Sequence, residues 1–247
     1  MPAPSWLTAQ PVAHRGLHVV ADRVLENTPG AARAAIARGF AIECDVQLTA
    51  DGEAVVFHDF TLDRLTGESG RVDARTASAL ASIPFRDSDD RIPTLGEFLD
   101  LVGGRVPVVV EIKSGFDGNL ALTRRVAQVI AGRDDPIALM SFDPAIVEAL
   151  AELAPGRPRG ITAEANYDHG EWARLPAETQ RSLGHLLHME RTRPDFIAWH
   201  VKDLPHAAPN MARYFGMPVL TWTVRTPEDR EAAAKYADQM IFEGFVP

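Results

Sequence analysis

The chain has 247 residues, 46% of them hydrophobic, enough to bury one sizeable core and compatible with one large domain or two small ones. Its net charge is −9 and no block of basic residues occurs, so a nucleic-acid partner or an anionic membrane surface has little electrostatic support. Cys44 is the only cysteine, which excludes an intrachain disulfide framework; with neither a secretory signal pattern nor a run of about 18 apolar residues, a soluble cytoplasmic protein without stable membrane insertion is expected.

Eight short β-rich runs follow in order: PVAHRG (11–16), AIECDVQL (41–48), VPVVVEIK (106–113), IALMSF (137–142), RGITA (159–163), FIAWHV (196–201), PVLTWTV (218–224) and QMIFEG (239–244). Segments of helical composition separate most of them. Their starts are marked by the box Thr94-Leu95-Gly96-Glu97, by Asp143 before Pro144 and by Thr226 before Pro227. VPVVVEIK is apolar almost to its end, as expected of a strand covered on both faces in a parallel sheet. Eight β-α alternations over a length near the ~250 residues typical of that architecture predict an α/β fold, a (β/α)8 TIM barrel, with residues 1–247 forming a single domain. No glycine-rich nucleotide fingerprint follows any strand. The repeat breaks after the second strand, where an insertion is expected over approximately 49–93, and weakens between 164 and 194, where helical character is patchy.

In such a barrel the site lies at the C-terminal strand ends. The first run ends in His14-Arg15-Gly16, the second carries Glu43-Cys44-Asp45, and the third ends in Glu111-Ile112-Lys113. Side chains two apart share a face, so Glu43 with Asp45, and Glu111 with Lys113, point into the barrel while Cys44 and Ile112 face the helices. Three carboxylates meeting at one mouth repel one another unless a cation sits among them, and an all-oxygen donor set suits Mg²⁺ or Ca²⁺ better than zinc. Solvated strand ends, or pairing with Arg15 and Lys113, are the structural alternatives. His14 and Arg15 cannot both enter a regular strand's inner face; a turn at Gly16, out of β conformation, is expected to aim both at the rim. Thr49-Ala50-Asp51-Gly52-Glu53 reads as a hairpin with Asp51-Gly52 as a two-residue loop, which brings Asp45 opposite His58.

Two imidazoles, three carboxylates, an arginine and a lysine fit attack at phosphorus: an acid and a base, a cation site and anion contacts. Lys113 as a Schiff-base lysine is the other enzyme class considered, but its anionic neighbours favour the charged ammonium. His200, Lys202 and Asp203 read as a solvated loop, Phe142 as an apolar wall and Glu164 as a rim residue, none of them catalytic.

At these residues the sequence resembles the glycerophosphodiester phosphodiesterase family. The resemblance is carried by AHRG (13–16), ENT (26–28), IECDVQLTADGEAVVFHD (42–59) with LDRLTGESG after it, IPTLGEFL (92–99), VEIK (110–113) and TWTV (221–224). It is dense in the first half, and TWTV mainly carries the second. It implies that His14 and His58 are the acid/base pair, that Glu43, Asp45 and Glu111 hold the metal, that Arg15 and Lys113 contact phosphate, and that Trp222 lines the pocket. The implied reaction is metal-dependent hydrolysis of a small-molecule glycerophosphodiester to glycerol 3-phosphate and an alcohol. Action on lysophospholipid-like diesters, or a non-catalytic phosphodiester-binding barrel, are the alternatives. The final run departs from the family's Thr-Asp ending: it reads MIFEGFVP, with Glu243 near the acidic place. Glu26 and Asn27 match the family, while Asn27 and Thr28 before Pro29 also read as a helix start.

Overall fold

The structure, a computed structural model, describes residues 3–247. The eight apolar runs become β1 (Val12–Ala13), β2 (Ala41–Leu48), β4 (Val108–Ile112), β5 (Ile137–Ser141), β6 (Arg159–Ala163), β7 (Phe196–His200), β8 (Val219–Val224) and β9 (Gln239–Phe242); β3 (Ala54–Val56) lies between the second and third of them. Parallel pairing runs from β1 through β2, β4, β5, β6, β7, β8 and β9 and back to β1, closing an eight-stranded barrel. Strand β3 pairs antiparallel with β2, outside the ring.

Alternation along each strand divides the apolar residues into two layers. Val12, Ala41, Val109, Ala138, Phe196, Leu220 and Ile241 fill the barrel, and Leu7 of the N-terminal turn packs with them. Ile42, Cys44, Val46, Val108, Val110 and Ile112 face outward into the helical layer. Glu43 and Asp45 therefore share the inward parity of Ala41, and Glu111 that of Val109. The β2·β4 register sets Asp45 directly beside Glu111.

The helices are α1 (Pro29–Arg38), α2 (Ala77–Ser82), α3 (Leu95–Val102), α4 (Ala121–Ile130), α5 (Pro144–Leu153), α6 (Ala177–Gly184), α7 (Met189–Thr192), α8 (Ala207–Tyr214) and α9 (Pro227–Tyr236). Their starts follow the local chemistry: Thr94 and Thr226 close full capping boxes with Glu97 and Asp229, and the Asp143 side chain accepts from Ala145 N–H. At α1 the cap is Thr28, which accepts from Ala31 N–H. Asn27 is thereby left for another task. The patchy stretch after β6 contains a 3₁₀ turn (Gly170–Arg174) and the short α6 and α7.

The β2–β3 hairpin differs from the expected one. Val46 pairs with Val56 and Leu48 with Ala54, so the partner of Asp45 is Phe57, whose N–H donates to Asp45 O at 3.0 Å, and not His58. The loop has three residues: Thr49 N–H bonds Glu53 O at 2.9 Å, and Gly52 takes the left-handed conformation at φ +80°. A type I turn followed by a left-handed glycine competes with the two-residue turn, and nothing in Asp51-Gly52 alone decides between them. After the hairpin, Phe57, Leu62, Leu80, Phe85 and Ile92 pack a separate apolar cluster.

Candidate active site

The chain leaves β1 by a turn tighter than expected. Arg15 is itself left-handed (φ +55°), as is Gly16 (φ +79°), so the reversal occupies two residues and not Gly16 alone. A Cβ on Gly16 would lie 2.7 Å from Ala31 Cβ, so space as well as backbone geometry requires glycine. The turn brings both His14 and Arg15 to one cavity of about 620 Å³ at the strand ends, shared with Glu43, Asp45, His58, Glu111 and Lys113. Arg15 does not lie among the outer helices.

Glu43, Asp45 and Glu111 are buried, and one carboxylate oxygen from each lies within 4.8 Å of the others. Lys113 Nζ contacts Asp45 Oδ1 at 2.7 Å and Glu111 Oε1 at 2.5 Å; Arg15 Nε lies 3.3 Å from Asp45 Oδ2, and its backbone N–H donates to Glu43 Oε2 at 2.9 Å. Burial alone would lower the Lys113 ammonium, but Asp45 and Glu111 together raise it, so it stays charged. Burial, with repulsion from Asp45 and Glu111, lifts the Glu43 carboxyl well above its usual range. Asp45 goes the other way: burial is outweighed by Lys113, His58, Arg15 and His14, and it stays ionised.

His14 Nδ1 bonds Glu243 Oε2 at 2.7 Å, which leaves Nε2 facing the site, 3.9 Å from Glu43. Burial lowers its pKa to about 4 despite that bond, so the ring is neutral at pH 7. His58 Nδ1 bonds Asp59 Oδ1 at 2.7 Å. Both histidines therefore have one nitrogen fixed by a carboxylate, which sets ring orientation and leaves the other nitrogen for chemistry.

Beyond these lies a set of contacts that strand-end patterns did not indicate. Arg64 donates to both Asp59 and Glu26, and Glu26 accepts from Arg15 Nη1 at 2.7 Å. A continuous chain of ion pairs thus joins His58 to Arg15. Asn27, left-handed at φ +57°, donates to Asp45 Oδ2 at 2.8 Å and accepts from Asp45 N–H at 3.2 Å, holding that residue by its side chain and its backbone. Arg225 donates to Glu243 at 2.8 Å. The signals for these residues were the family-matching ENT and LDRLTGESG stretches and the acidic place in the last strand.

Within this connected set six carboxylates (Glu26, Glu43, Asp45, Asp59, Glu111, Glu243) face four cations (Arg15, Arg64, Lys113, Arg225), a formal excess of two negative charges. Hard oxygen donors, convergence within 4.8 Å and the raised Glu43 carboxyl all fit a divalent cation held by Glu43, Asp45 and Glu111.

The far wall of the cavity is aromatic. Trp222 donates Nε1–H to Ala198 O at 2.8 Å, and its ring meets Phe142 (5.4 Å between centroids) and His200 (4.9 Å). Trp172, from the 3₁₀ turn after β6, stacks obliquely on Phe142 at 4.7 Å. Phe142 and Glu164 line the cavity as expected. His200 also lines it and is not in a solvated loop, because it is the last residue of β7. Lys202 pairs with Asp229 at 2.7 Å and Asp203 accepts from Ala165 N–H at 2.8 Å.

The model of the glycerophosphoryl diester phosphodiesterase family matches residues 14–246. A glycerophosphodiester phosphodiesterase of Caldanaerobacter subterraneus subsp. tengcongensis is 34% identical over 160 residues, 61% of this chain and 65% of that relative, so the match spans just under two thirds of its length. One from Bacillus subtilis is 28% identical over 229 residues, 83% of this chain and 73% of that protein. Among solved structures, glycerophosphodiester phosphodiesterase from Thermotoga maritima superposes with TM-score 0.72 at 25% identity, covering 94% of each chain. An Oleispira antarctica phosphodiesterase, in complex with the product sn-glycerol-3-phosphate, superposes with TM-score 0.77 at 20% identity, covering 95% of this chain and 92% of that one.

Proposed function

The chain belongs to the glycerophosphoryl diester phosphodiesterase family, and on that footing we propose that it hydrolyses small glycerophosphodiesters to glycerol 3-phosphate and an alcohol, by metal-dependent acid/base catalysis with His14 and His58. The observation that supports this most directly is the convergence of Glu43, Asp45 and Glu111 within 4.8 Å at a mouth that also holds both histidines. A divalent cation, Mg²⁺ or Ca²⁺, held by these three carboxylates supplies Lewis-acid neutralisation of phosphate oxygens when bound.

The chain's own groups divide the remaining tasks. Arg15 and Lys113, kept charged by their acidic partners, hold the two non-bridging oxygens of the diester. His14 is neutral and takes the proton of the attacking hydroxyl, from water or from the substrate's own glycerol, at Nε2. The new O–P bond forms as the P–O bond to the alcohol breaks, and His58, oriented by Asp59, gives a proton to the leaving oxygen. Where the glycerol hydroxyl attacks first, water then opens the cyclic phosphate by the same two groups in exchanged roles. Trp222 stands as a wall of the pocket. The barrel acts as one catalytic domain, with the segment 49–93 contributing His58. The lone, buried Cys44 suits a cytoplasmic setting, and among the described residues no helix is long and apolar enough to cross a membrane.

The test is release of glycerol 3-phosphate from glycerophosphocholine, glycerophosphoethanolamine and glycerophosphoglycerol, in chelator and after adding back Mg²⁺ or Ca²⁺. Turnover restored by a divalent ion is expected. No glycerol 3-phosphate with any divalent cation would overturn the assignment.

A further inference from the structure

Away from the cavity, one helix of the barrel shows solvent a different face from its neighbours. The outward side of α1 carries Arg33, of α3 Glu97, of α4 Arg124, of α5 Glu148 and of α9 Glu231. On α8 the outward positions, at the i, i+3, i+4, i+7 spacing, are Ala207, Asn210, Met211 and Tyr214, and none of these is charged. Phe215 follows at the helix end. Tyr214 is 82% exposed, Phe215 75% and Met211 54%, and the two rings meet edge to face at 5.4 Å, so they stand as one preformed projection. Exposed apolar side chains are ordinary when single; adjacent aromatics beside a methionine on an uncharged face mark an interaction surface.

A groove adjoins this projection. Arg213, the residue before Tyr214, is fastened to the end of α9 by Asp238 Oδ1 at 2.8 Å and Lys235 O at 3.1 Å. Asp238 is also part of the wall of a cavity of about 430 Å³ lined by Ala233, Ala234, Ala237 and Met240. The small side chains along one face of α9 leave this space open. Its volume falls in the range of roughly 300–1,000 Å³ that pockets for ring-bearing molecules occupy.

We propose that a second copy of this chain fills both features: the Tyr214–Phe215 pair of each protomer seats in the α9 groove of its partner, around a twofold axis near the Arg213–Asp238 contact. A twofold interface sets one surface against itself, so a projection beside a groove lets both contacts form at once. The area agrees. The two rings and Met211 leave about 400 Å² of apolar surface in solvent. A stable interface buries about 800 Å² per partner, roughly 65% of it apolar in homodimers, and the projection together with the groove walls is of that size. The position agrees as well. Helix α8 ends just before β8 begins at Val219, so this surface lies at the N-terminal face of the barrel, opposite the substrate cavity. Pairing there leaves both cavities open, whereas a lipid surface bound there would face away from them. The inference is independent of the phosphodiesterase assignment.

Sedimentation velocity of the full chain over a range of concentrations tests the pairing. A dimer is expected, and it should persist at high salt, because the contact is apolar and two chains of net charge −9 repel one another. Replacing both rings, Tyr214→Ser with Phe215→Ser, should weaken association by roughly 10²-fold or more. Ala234→Trp, at an exposed position, should do the same by filling the groove from its wall. Circular dichroism checks that each variant folds. Should either fail to fold, hydrogen exchange on wild type at dimeric and monomeric concentrations decides: residues 207–216 and 230–240 should gain protection together in the dimer. A wild type that stays monomeric, a dimer that salt dissolves, or one that neither folded variant weakens would overturn the pairing. Loss of the dimer with the rings but not with Ala234→Trp would set ring against ring and overturn the groove. Binding of wild type, but not of the ring variant, to phospholipid vesicles without dimerisation would assign the projection to a lipid surface instead.

Discussion

The two sides of the cavity are built from opposite materials. On the side of β1, β2 and β4, nearly every polar side chain is held by another: Asp45 by Asn27, Arg15 and Lys113, Glu26 by Arg15 and Arg64, His14 by Glu243. On the side of β5 to β8, Phe142 meets Trp172 at a tilt and Trp222 edge to face, and Glu164 is buried at the same wall. Reacting groups need fixed positions, which a closed network of charged hydrogen bonds provides. An alcohol of variable shape needs a surface, which aromatic rings provide with little directional demand. If the comparison is right, substitutions on the first side change the rate of the chemical step, and those on the second change affinity.

The largest separation of function from stability is expected at Glu43. Its carboxyl is raised by burial and by repulsion from Asp45 and Glu111, so glutamine resembles the protonated form the fold already tolerates. Glu43→Gln should reduce kcat by roughly 10³-fold or more by removing a cation ligand, while its melting temperature in chelator equals or exceeds wild type. Calorimetric titration with Mg²⁺ or Ca²⁺ should show the loss of affinity directly. A variant that melts early and keeps its activity would mean that Glu43 is a structural acid.

Next comes the proposed proton-transfer pair. His14→Ala or His58→Ala should each lower kcat by about 10²- to 10⁴-fold, with KM changed much less. Arg64→Met acts one step removed, since Arg64 joins Asp59 to Glu26 and so sets the position of both His58 and Arg15. About a tenfold loss in kcat/KM is expected, with little change in melting temperature, because the Arg64 side chain is 47% exposed. Across the cavity, Trp222→Leu should raise KM by about fivefold and leave kcat close to wild type. An equal fall in kcat would show that the aromatic wall orients the reacting groups, and the distinction between the two sides would fail.

The charged side was far more legible in the sequence than the aromatic one, for physical reasons. Strands buried on both faces are long apolar runs, so Glu43, Asp45 and Glu111 stand out as polar interruptions, and the two-residue period tells which way they point. No comparable rule covers contacts between loops. Arg64 reaches Glu26 across 38 residues, Asn27 reaches Asp45 from what reads as a helix start, and Trp172 arrives from a stretch with no strong period. The hairpin register shows the same limit at short range. Asp51-Gly52 fits two loops differing by one residue, and the three-residue loop that ends in the left-handed Gly52 shifts the partner of Asp45 from His58 to Phe57.

The smallest effect concerns the stability of the aromatic side. The segment between β6 and β7 carries His188, 5% exposed, whose Nε2 has no hydrogen-bond partner among the described residues and whose Nδ1 lies 3.3 Å from the Thr192 hydroxyl. Burial, helped by Arg191, lowers its pKa to about 4, so the folded protein keeps it neutral where the unfolded chain, with an ordinary value near 6.5, protonates it. The stability this contributes is complete above pH 6.5 and is lost as pH falls toward 4. Between pH 7 and pH 5 the loss is about 2 kcal/mol, or roughly 4–8 °C in melting temperature for a chain of this size. His14 titrates in the same direction on the charged side, so wild type alone does not separate the two. His188→Leu does: it removes the buried nitrogen and should cut the drop in melting temperature between pH 7 and pH 5 by about half. Hydrogen exchange at pH 5 should show wild-type residues 164–195 opening ahead of β1, β2 and β4. An unchanged drop in His188→Leu, with protection lost evenly around the barrel, would assign acid lability to the charged network instead, and the aromatic side would then be no looser than the side it faces.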